Sequence, residues 1–261
     1  MIKSPVLTKK HGGGFLHRLF VAGRQGVAKS VRPFWFQVGI PGMLQVLAWP
    51  FAVLLLFVFA RFRVEGRENL RRLPRGVIFA ANHHSQLDPI LMRAALPWLS
   101  KYVSLFYVAR QSSVYDWTGW RALVYGDAFF KAWGAYPAFK GEKNYGSALR
   151  HFVSICSAGY PVAIFPTGIQ HASLTEVRVH GGVGYLALTT GNPVVPVTIE
   201  GSEHLTMKNF FRREYNIRVR IGEPIMFQKM NFEVTVDECK APALQIWEKI
   251  YKMQKESASK V

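Results

Sequence analysis

Acidic residues are missing from the first 64 positions of this 261-residue chain, and cysteine occurs only twice, at Cys156 and Cys239. Two cysteines build neither a disulfide framework nor a four-cysteine zinc site, so a reduced, cytoplasm-facing environment is the simpler reading. Charged residues make up only 19% of the chain and apolar residues 49%, the reverse of the balance that keeps a chain disordered. Internal repeats and low-complexity segments are absent, as are a G-x-S-x-G elbow and a P-loop. The length allows one large domain or two small ones, with a substantial core.

The shortage of acid leaves 33 Lys or Arg against 16 Asp or Glu, a net charge of +17. Up to Arg75 there are 13 basic residues and two Glu, so 11 of the 17 excess charges lie there. An anionic partner is therefore met mainly by the N-terminal part, whether nucleic acid or anionic lipid. Charge itself is missing for 28 residues, from Pro33 to Ala60. A continuous helix of that length would measure roughly 42 Å, against about 30 Å for a hydrocarbon core. Pro41-Gly42 predicts a break and Pro50 a kink, leaving Gly42–Ala60 as the strongest part.

Two membrane arrangements fit. A single spanning helix would leave the C-terminal part in the cytoplasm, because Arg61, Arg63, Arg67, Arg71, Arg72 and Arg75 crowd its far end. A monotopic helical pair would lie in one leaflet, with its basic flanks on lipid phosphates and Phe34, Trp35, Phe36 and Trp49 at the interface. Either places the protein on a membrane, at the cytoplasmic face of the inner membrane, with anionic lipids as partners. The uncharged run and the modest charge after residue 75 argue against nucleic acid. Residues 1–60 are thus expected to be a basic, amphipathic and hydrophobic anchor, and residues 61–261 a separate α/β domain.

After Arg61, short β-rich runs alternate with amphipathic stretches. Strands are expected at Gly76–Ala80, Tyr102–Ala109, Pro161–Phe165, Val194–Ile199 and Ile217–Ile221. Helices are expected at Pro89–Leu96, Tyr145–Ser157, Val183–Thr190 and about Ala241–Lys255. The alternation indicates an α/β fold: a mixed, largely parallel sheet flanked by helices, with the helical membrane anchor at its N-terminal side.

The first strand runs into Asn82-His83-His84-Ser85-Gln86-Leu87-Asp88-Pro89 and then an apolar helix. A polar loop at a strand end is where α/β sheets bind ligands. Asp88 reads as the helix N-cap and Pro89 as the first helical residue. His83, five positions earlier, can fold back so that the carboxylate meets one ring nitrogen and leaves the other as a base. The adjacent His83 and His84 have no evident third ligand, so no metal is expected. Gly182-Val183-Gly184-Tyr185-Leu186-Ala187 fits a loose dinucleotide fingerprint but lacks its acidic partner.

The Asn82-His83-x-Ser85-x-x-Asp88-Pro89 stretch resembles the His-x4-Asp motif of the glycerolipid acyltransferases, the family containing the bacterial 1-acylglycerol-3-phosphate acyltransferases. The resemblance continues in order. Val108-Ala109-Arg110 is similar to the block before the second motif, and Gly134-Ala135-Tyr136-Pro137-Ala138-Phe139-Lys140 to the second motif itself. Phe165-Pro166-Thr167-Gly168 stands where the family has Phe-Pro-Glu-Gly-Thr-Arg, and Asn192–Val197 is close to the fourth motif. The resemblance implies an enzyme in phospholipid biosynthesis, with His83 and Asp88 catalytic. Ser85, Arg110, Lys140, Thr167 and Gly168 would then line the substrates. The co-substrate would be an acyl thioester, acyl-CoA or acyl-carrier protein, and the acceptor a lysophospholipid; no other cofactor is implied. The third block departs from the pattern: Thr167 replaces the acid, Gln170 the usual Arg, and His180 a common Lys. Arg178, eight residues after Gln170, is a further candidate to compensate, like Arg110 and Lys140, for the charge lost from this block. These changes open a different lyso-lipid acceptor, or a non-catalytic lipid-binding protein on the same fold. Oligomeric state is left open.

Overall fold

The computed structural model describes residues 34–109, 127–138, 144–168, 170, 177–203 and 205–258. Among these, seven short strands share one sheet: β1 (Arg63–Glu65), β2 (Ile78–Ala81), β3 (Phe106–Ala109), β4 (Ala135–Pro137), β5 (Val162–Ile164), β6 (Val194–Glu200) and β7 (Arg218–Ile221). Their spatial order is β1-β7-β6-β2-β5-β3-β4, parallel throughout except where β6 meets β7. The helices are α1 (Phe34–Ala60), α2 (Asp88–Ala95), α3 (Asp127–Ala132), α4 (Tyr145–Ser157), α5 (Gly182–Thr190), α6 (Met207–Phe211) and α7 (Lys240–Ala258). The fold is the mixed, mostly parallel α/β sheet that the alternation indicates.

Strand period two sorts the core into two layers. Phe79 and Ala81 face Leu91 and Met92 of α2 and Leu56 and Ala60 of α1. Ile78 and Ala80 face Phe152 of α4, Leu186 of α5 and Ile246 of α7. Central β2 is buried along its whole length, as a parallel strand covered on both faces must be.

Local chemistry moves some boundaries. The strand expected from Tyr102 begins only at Phe106: Ser104 has φ 65°, and Leu105 gives its N–H to the Gln45 side chain (3.0 Å) rather than to a neighbouring strand. β1 and β4, three residues each, carry too little alternation to stand out. α4 begins where expected because the Asn144 side chain accepts from the Gly146 N–H (2.7 Å).

The expected break at Pro41-Gly42 does not occur: α1 is one helix of 27 residues with both prolines inside it. Neighbouring side chains compensate. Pro50 has no N–H to offer the Val46 carbonyl, and Trp98 Nε1 donates to it instead (2.8 Å). Gly42 is a site of close approach, where a Cβ would collide with Ser104 Oγ. Ser104 in turn donates to the Val38 carbonyl (2.9 Å). Buried Gln45 donates to the Leu105 and Trp133 carbonyls (2.8 and 3.1 Å), so its amide is fully used within an uncharged helix. Trp49 donates to the Leu96 carbonyl (2.9 Å) and stacks on Trp98. One stripe of α1 (Val38, Gln45, Leu56, Ala60) is therefore docked against the α/β core. The opposite stripe (Met43, Leu47, Phe51, Leu54, Phe57) is apolar yet 56–71% exposed.

Candidate active site

Three adjacent parallel strands, β5, β2 and β6, end side by side, and each delivers one part of a polar crevice. Past β2, the side chain of Asn82 carries the β2–β6 pairing one step further. Its amide donates to the Ile199 carbonyl and its oxygen accepts from the Ile199 N–H, both at 2.7 Å. Asn82 is fully buried, so this two-point bond satisfies the amide and fixes the backbone just before His83.

The following loop closes around Asp88, which is fully buried. Asp88 Oδ2 accepts from His84 N (2.6 Å), Ser85 N (2.9 Å) and His83 Nδ1 (2.8 Å). Asp88 Oδ1 accepts from Ser202 Oγ (2.9 Å). The expected N-cap role is therefore corrected. Leu87 occupies the cap position of α2 with no capping side chain, and the Asp88 carboxylate turns back onto the loop. Pro89, at the second helical position, has no N–H to compete for it. Ser85 shapes the same loop: its hydroxyl accepts from Leu87 N (3.0 Å) and its carbonyl from Asp88 N (3.2 Å).

All four partners of Asp88 act as donors, so His83 Nδ1 carries its hydrogen toward the carboxylate. The neutral imidazole then has its lone pair on Nε2. The His83 side chain is 16% exposed, which keeps the ring reachable. Phe165, just past β5, stacks on it at 4.3 Å between centroids and 22° between planes, fixing the ring plane. This is a base, an orienting carboxylate and a locked tautomer, the parts needed to take a proton from a hydroxyl.

The family model described as Acyltransferase matches residues 61–200, more than half of the chain. The chain belongs to the acyltransferase family. It is also similar to a solved structure, the 1-acyl-sn-glycerophosphate (LPA) acyltransferase PlsC from Thermotoga maritima. That likeness has 18% identity and a TM-score of 0.53, and spans 92% of this chain and 89% of that one. At that identity the likeness is one of fold.

The rest of the acyltransferase site is placed unevenly. Phe165–Gly168 form a turn closed by Gly168 N to the Phe165 carbonyl (3.0 Å), with Gly168 at φ 67°. Thr167 is buried in that turn, while Gln170 is exposed. His180 is tied to the turn by its N–H on the Pro166 carbonyl (2.8 Å), and its ring lies against Gly168. Burial, and then the positive charge of Arg178, hold the His180 imidazole below its ordinary value of 6.5. Arg178 itself is exposed, close enough to His180 to act on it. Arg110 and Lys140 lie outside the described residues.

Two participants escaped sequence reasoning. Ser202 lies 114 residues from Asp88 and reaches it only because β6 neighbours β2. The signal was present in Gly201-Ser202 at the end of a strong strand. Gly201 has φ 77°, and any Cβ there would strike the Asn216 carbonyl, so the turn that aims Ser202 requires glycine. Phe165 belongs to the third motif in the sequence, and only the fold makes it the surface carrying the His83 ring.

Proposed function

We propose that this acyltransferase moves an acyl chain from a thioester to the free hydroxyl of a lysophospholipid, with 1-acylglycerol 3-phosphate as the leading acceptor. One observation carries the reading: the His83–Asp88 pair, buried on the Asp side and open on the His side, with Nε2 left to act. His83 Nε2 takes the proton of the acceptor hydroxyl while that oxygen attacks the thioester carbonyl. Asp88 stabilises the resulting imidazolium. When the carbon–sulfur bond breaks, the proton passes from His83 to the departing thiolate, so the base is restored and no acyl-enzyme forms. General-base assistance of this kind is worth roughly 10²–10⁴-fold, and positioning of the two substrates supplies the remainder. Arg110, Lys140 and Arg178 supply positive charge for the anionic groups of acceptor or donor.

We further infer that α1 holds the enzyme on one leaflet. A crossing helix would have to free the stripe that carries Gln45 and Trp49, both hydrogen-bonded to the domain. A helix docked on one side with an apolar stripe exposed on the other suits monotopic insertion. Residues 1–60 act as the anchor of an α/β domain at 61–261, on the cytoplasmic face.

A second reading, another lyso-lipid acceptor, is favoured by the uncharged third block. Arg–phosphate pairing is strong and geometrically specific, and Gln170 cannot reproduce it. Purified enzyme given acyl-CoA or acyl-carrier protein and a panel of lysolipids separates the two. Thiol release matched by new ester on 1-acylglycerol 3-phosphate supports the first, and a larger kcat/KM on a glycolipid or amino-acid lipid supports the second. Lys140→Ala sharpens the comparison, because loss confined to phosphorylated acceptors assigns Lys140 to the phosphate. No acceptor-dependent thiol release with any pairing overturns both and leaves a lipid-binding role.

A further inference from the structure

Beside the C-terminal end of α1 stands the short helix α6. The Thr206 side chain caps it through Asn209 N (3.3 Å), and Tyr215 Oη accepts from Thr206 N (2.9 Å). Buried Phe210 turns inward, and the Phe59 ring of α1 meets Phe210 at 5.7 Å and Phe211 at 5.2 Å. Five residues cannot bury two faces, so Met207 and Phe211 are left 63% and 55% exposed beside the end of α1.

Positive charge surrounds this tip. Arg61, Lys208, Arg212 and Arg213 are all exposed, and the Arg213 guanidinium lies 5.7 Å from the Phe59 ring. Glu214 pairs with Arg212 (3.4 Å). Among the described residues, three non-glycine positions have positive φ, and two of them are Arg61 and Arg213. Each lies just past the end of a helix: at Arg213 the left-handed turn closes α6, with Arg213 N on the Phe210 carbonyl (3.0 Å) and Glu214 N on the Asn209 carbonyl (3.2 Å).

We propose that α6, with Arg61, Lys208 and Arg213, is a second contact with the lipid leaflet and selects anionic headgroups. Met207 and Phe211 enter the acyl region while the basic side chains meet lipid phosphates. This rests on the reading of α1 as a leaflet-bound helix. It has a consequence for the reaction: Ser202, the donor to Asp88, lies five residues before Met207. The segment that supports the carboxylate is then held where a lipid acceptor arrives.

The test uses the full chain with single cysteines carrying an environment-sensitive fluorophore, at Met207→Cys or at Leu47→Cys. Native Cys156 and Cys239 are buried, with thiols pushed up to about 12 and about 11, so they compete poorly for label. Vesicles of phosphatidylcholine with phosphatidylglycerol should blue-shift both labels, and phosphatidylcholine alone should shift the Met207 label less. Removing two charges with Lys208→Gln and Arg213→Asn should weaken binding to the anionic vesicles roughly 25-fold, at about five-fold per basic residue. A Leu47 label that shifts while the Met207 label does not overturns this proposal and leaves the α1 anchor standing; if neither shifts, the anchor reading fails as well. Equal Met207 shifts on both vesicle types overturn the anionic preference. A Met207 shift that tracks protein concentration without vesicles assigns the patch to a second copy instead.

Discussion

The two sides of the crevice differ in how tightly they are held. On the β2 side, Asp88 is fully buried and takes four hydrogen bonds, three from the His83–Ser85 loop and one from Ser202, and His83 is pinned between it and the Phe165 ring. On the β5 side, Thr167 and Gln170 carry no charge, and His180 stands where a Lys would keep one. Proton handling needs a geometry fixed to fractions of an ångström, and every buried donor around Asp88 enforces it. Acceptor recognition depends on which charges face the headgroup, and it can change without disturbing that geometry. Under the proposed mechanism, the chemistry and the acceptor preference of this enzyme are separable.

The largest expected effect that would sharpen the contrast comes from Asp88→Asn. The N–H groups of His84 and Ser85 should orient the new amide with its oxygen at the Oδ2 position, keeping the His83 tautomer and removing only the charge. The fold should survive while kcat falls on the order of 10²-fold or more, since the imidazolium loses its stabilising partner. Circular dichroism and thiol-release kinetics on one preparation check this, and a small loss would show that the charge is dispensable.

The double change Thr167→Glu with Gln170→Arg probes the other side. Thr167 is 2% exposed, so a Glu there enters a buried turn and needs a charge partner, which the accompanying Gln170→Arg is introduced to offer. If the site is adapted to its own acceptor, activity on that acceptor should fall about ten-fold with a stability loss of about 1–3 kcal/mol. A rise in activity on 1-acylglycerol 3-phosphate would mean a decayed site instead.

Ser202→Ala should cost less. One buried acceptor on Asp88 loses its donor, a penalty of about 1–3 kcal/mol shared between folding and catalysis. The expected signature is a kcat lowered a few-fold to ten-fold with KM unchanged, restored by Ser202→Thr. A KM effect alone would remove Ser202 from the positioning of Asp88.

The smallest effect lies outside the crevice. His151 sits between the Tyr136 and Phe152 rings, and among the described residues its buried Nε2 has no hydrogen-bond partner. Burial holds its imidazole below the ordinary 6.5. The unfolded chain therefore binds a proton that the folded chain refuses, so this contribution is complete above 6.5 and is lost as the pH falls below it. Melting measured between about pH 7.5 and about pH 5.5 should show a shallower fall for His151→Phe than for the native chain.

Much of this organisation was legible in the sequence where the information is local. His83 and Asp88 are five residues apart, and a loop can bring them together unaided. The start of α4 is equally local, because its cap, Asn144, adjoins it. What could not be read depends on strand order. Ser202 joins Asp88, Asn82 joins Ile199, and Phe165 joins His83 only once β5, β2 and β6 lie side by side. The continuity of α1 was hidden for a related reason. Pro50 reads as a defect until Trp98, 48 residues away, is found donating to the carbonyl it leaves open. Local rules predicted the elements well and the tertiary compensations poorly.

In the proposed mechanism His83 Nε2 is the base of the acyl transfer. The most direct test measures acceptor-dependent thiol release and ester formation by purified wild-type enzyme and by His83→Ala, with melting temperatures recorded for both. The expected result is a loss of kcat on the order of 10²–10⁴-fold with little change in melting, because the ring is partly exposed and its removal leaves Asp88 three other donors. Undiminished transfer by a folded His83→Ala variant would contradict the account.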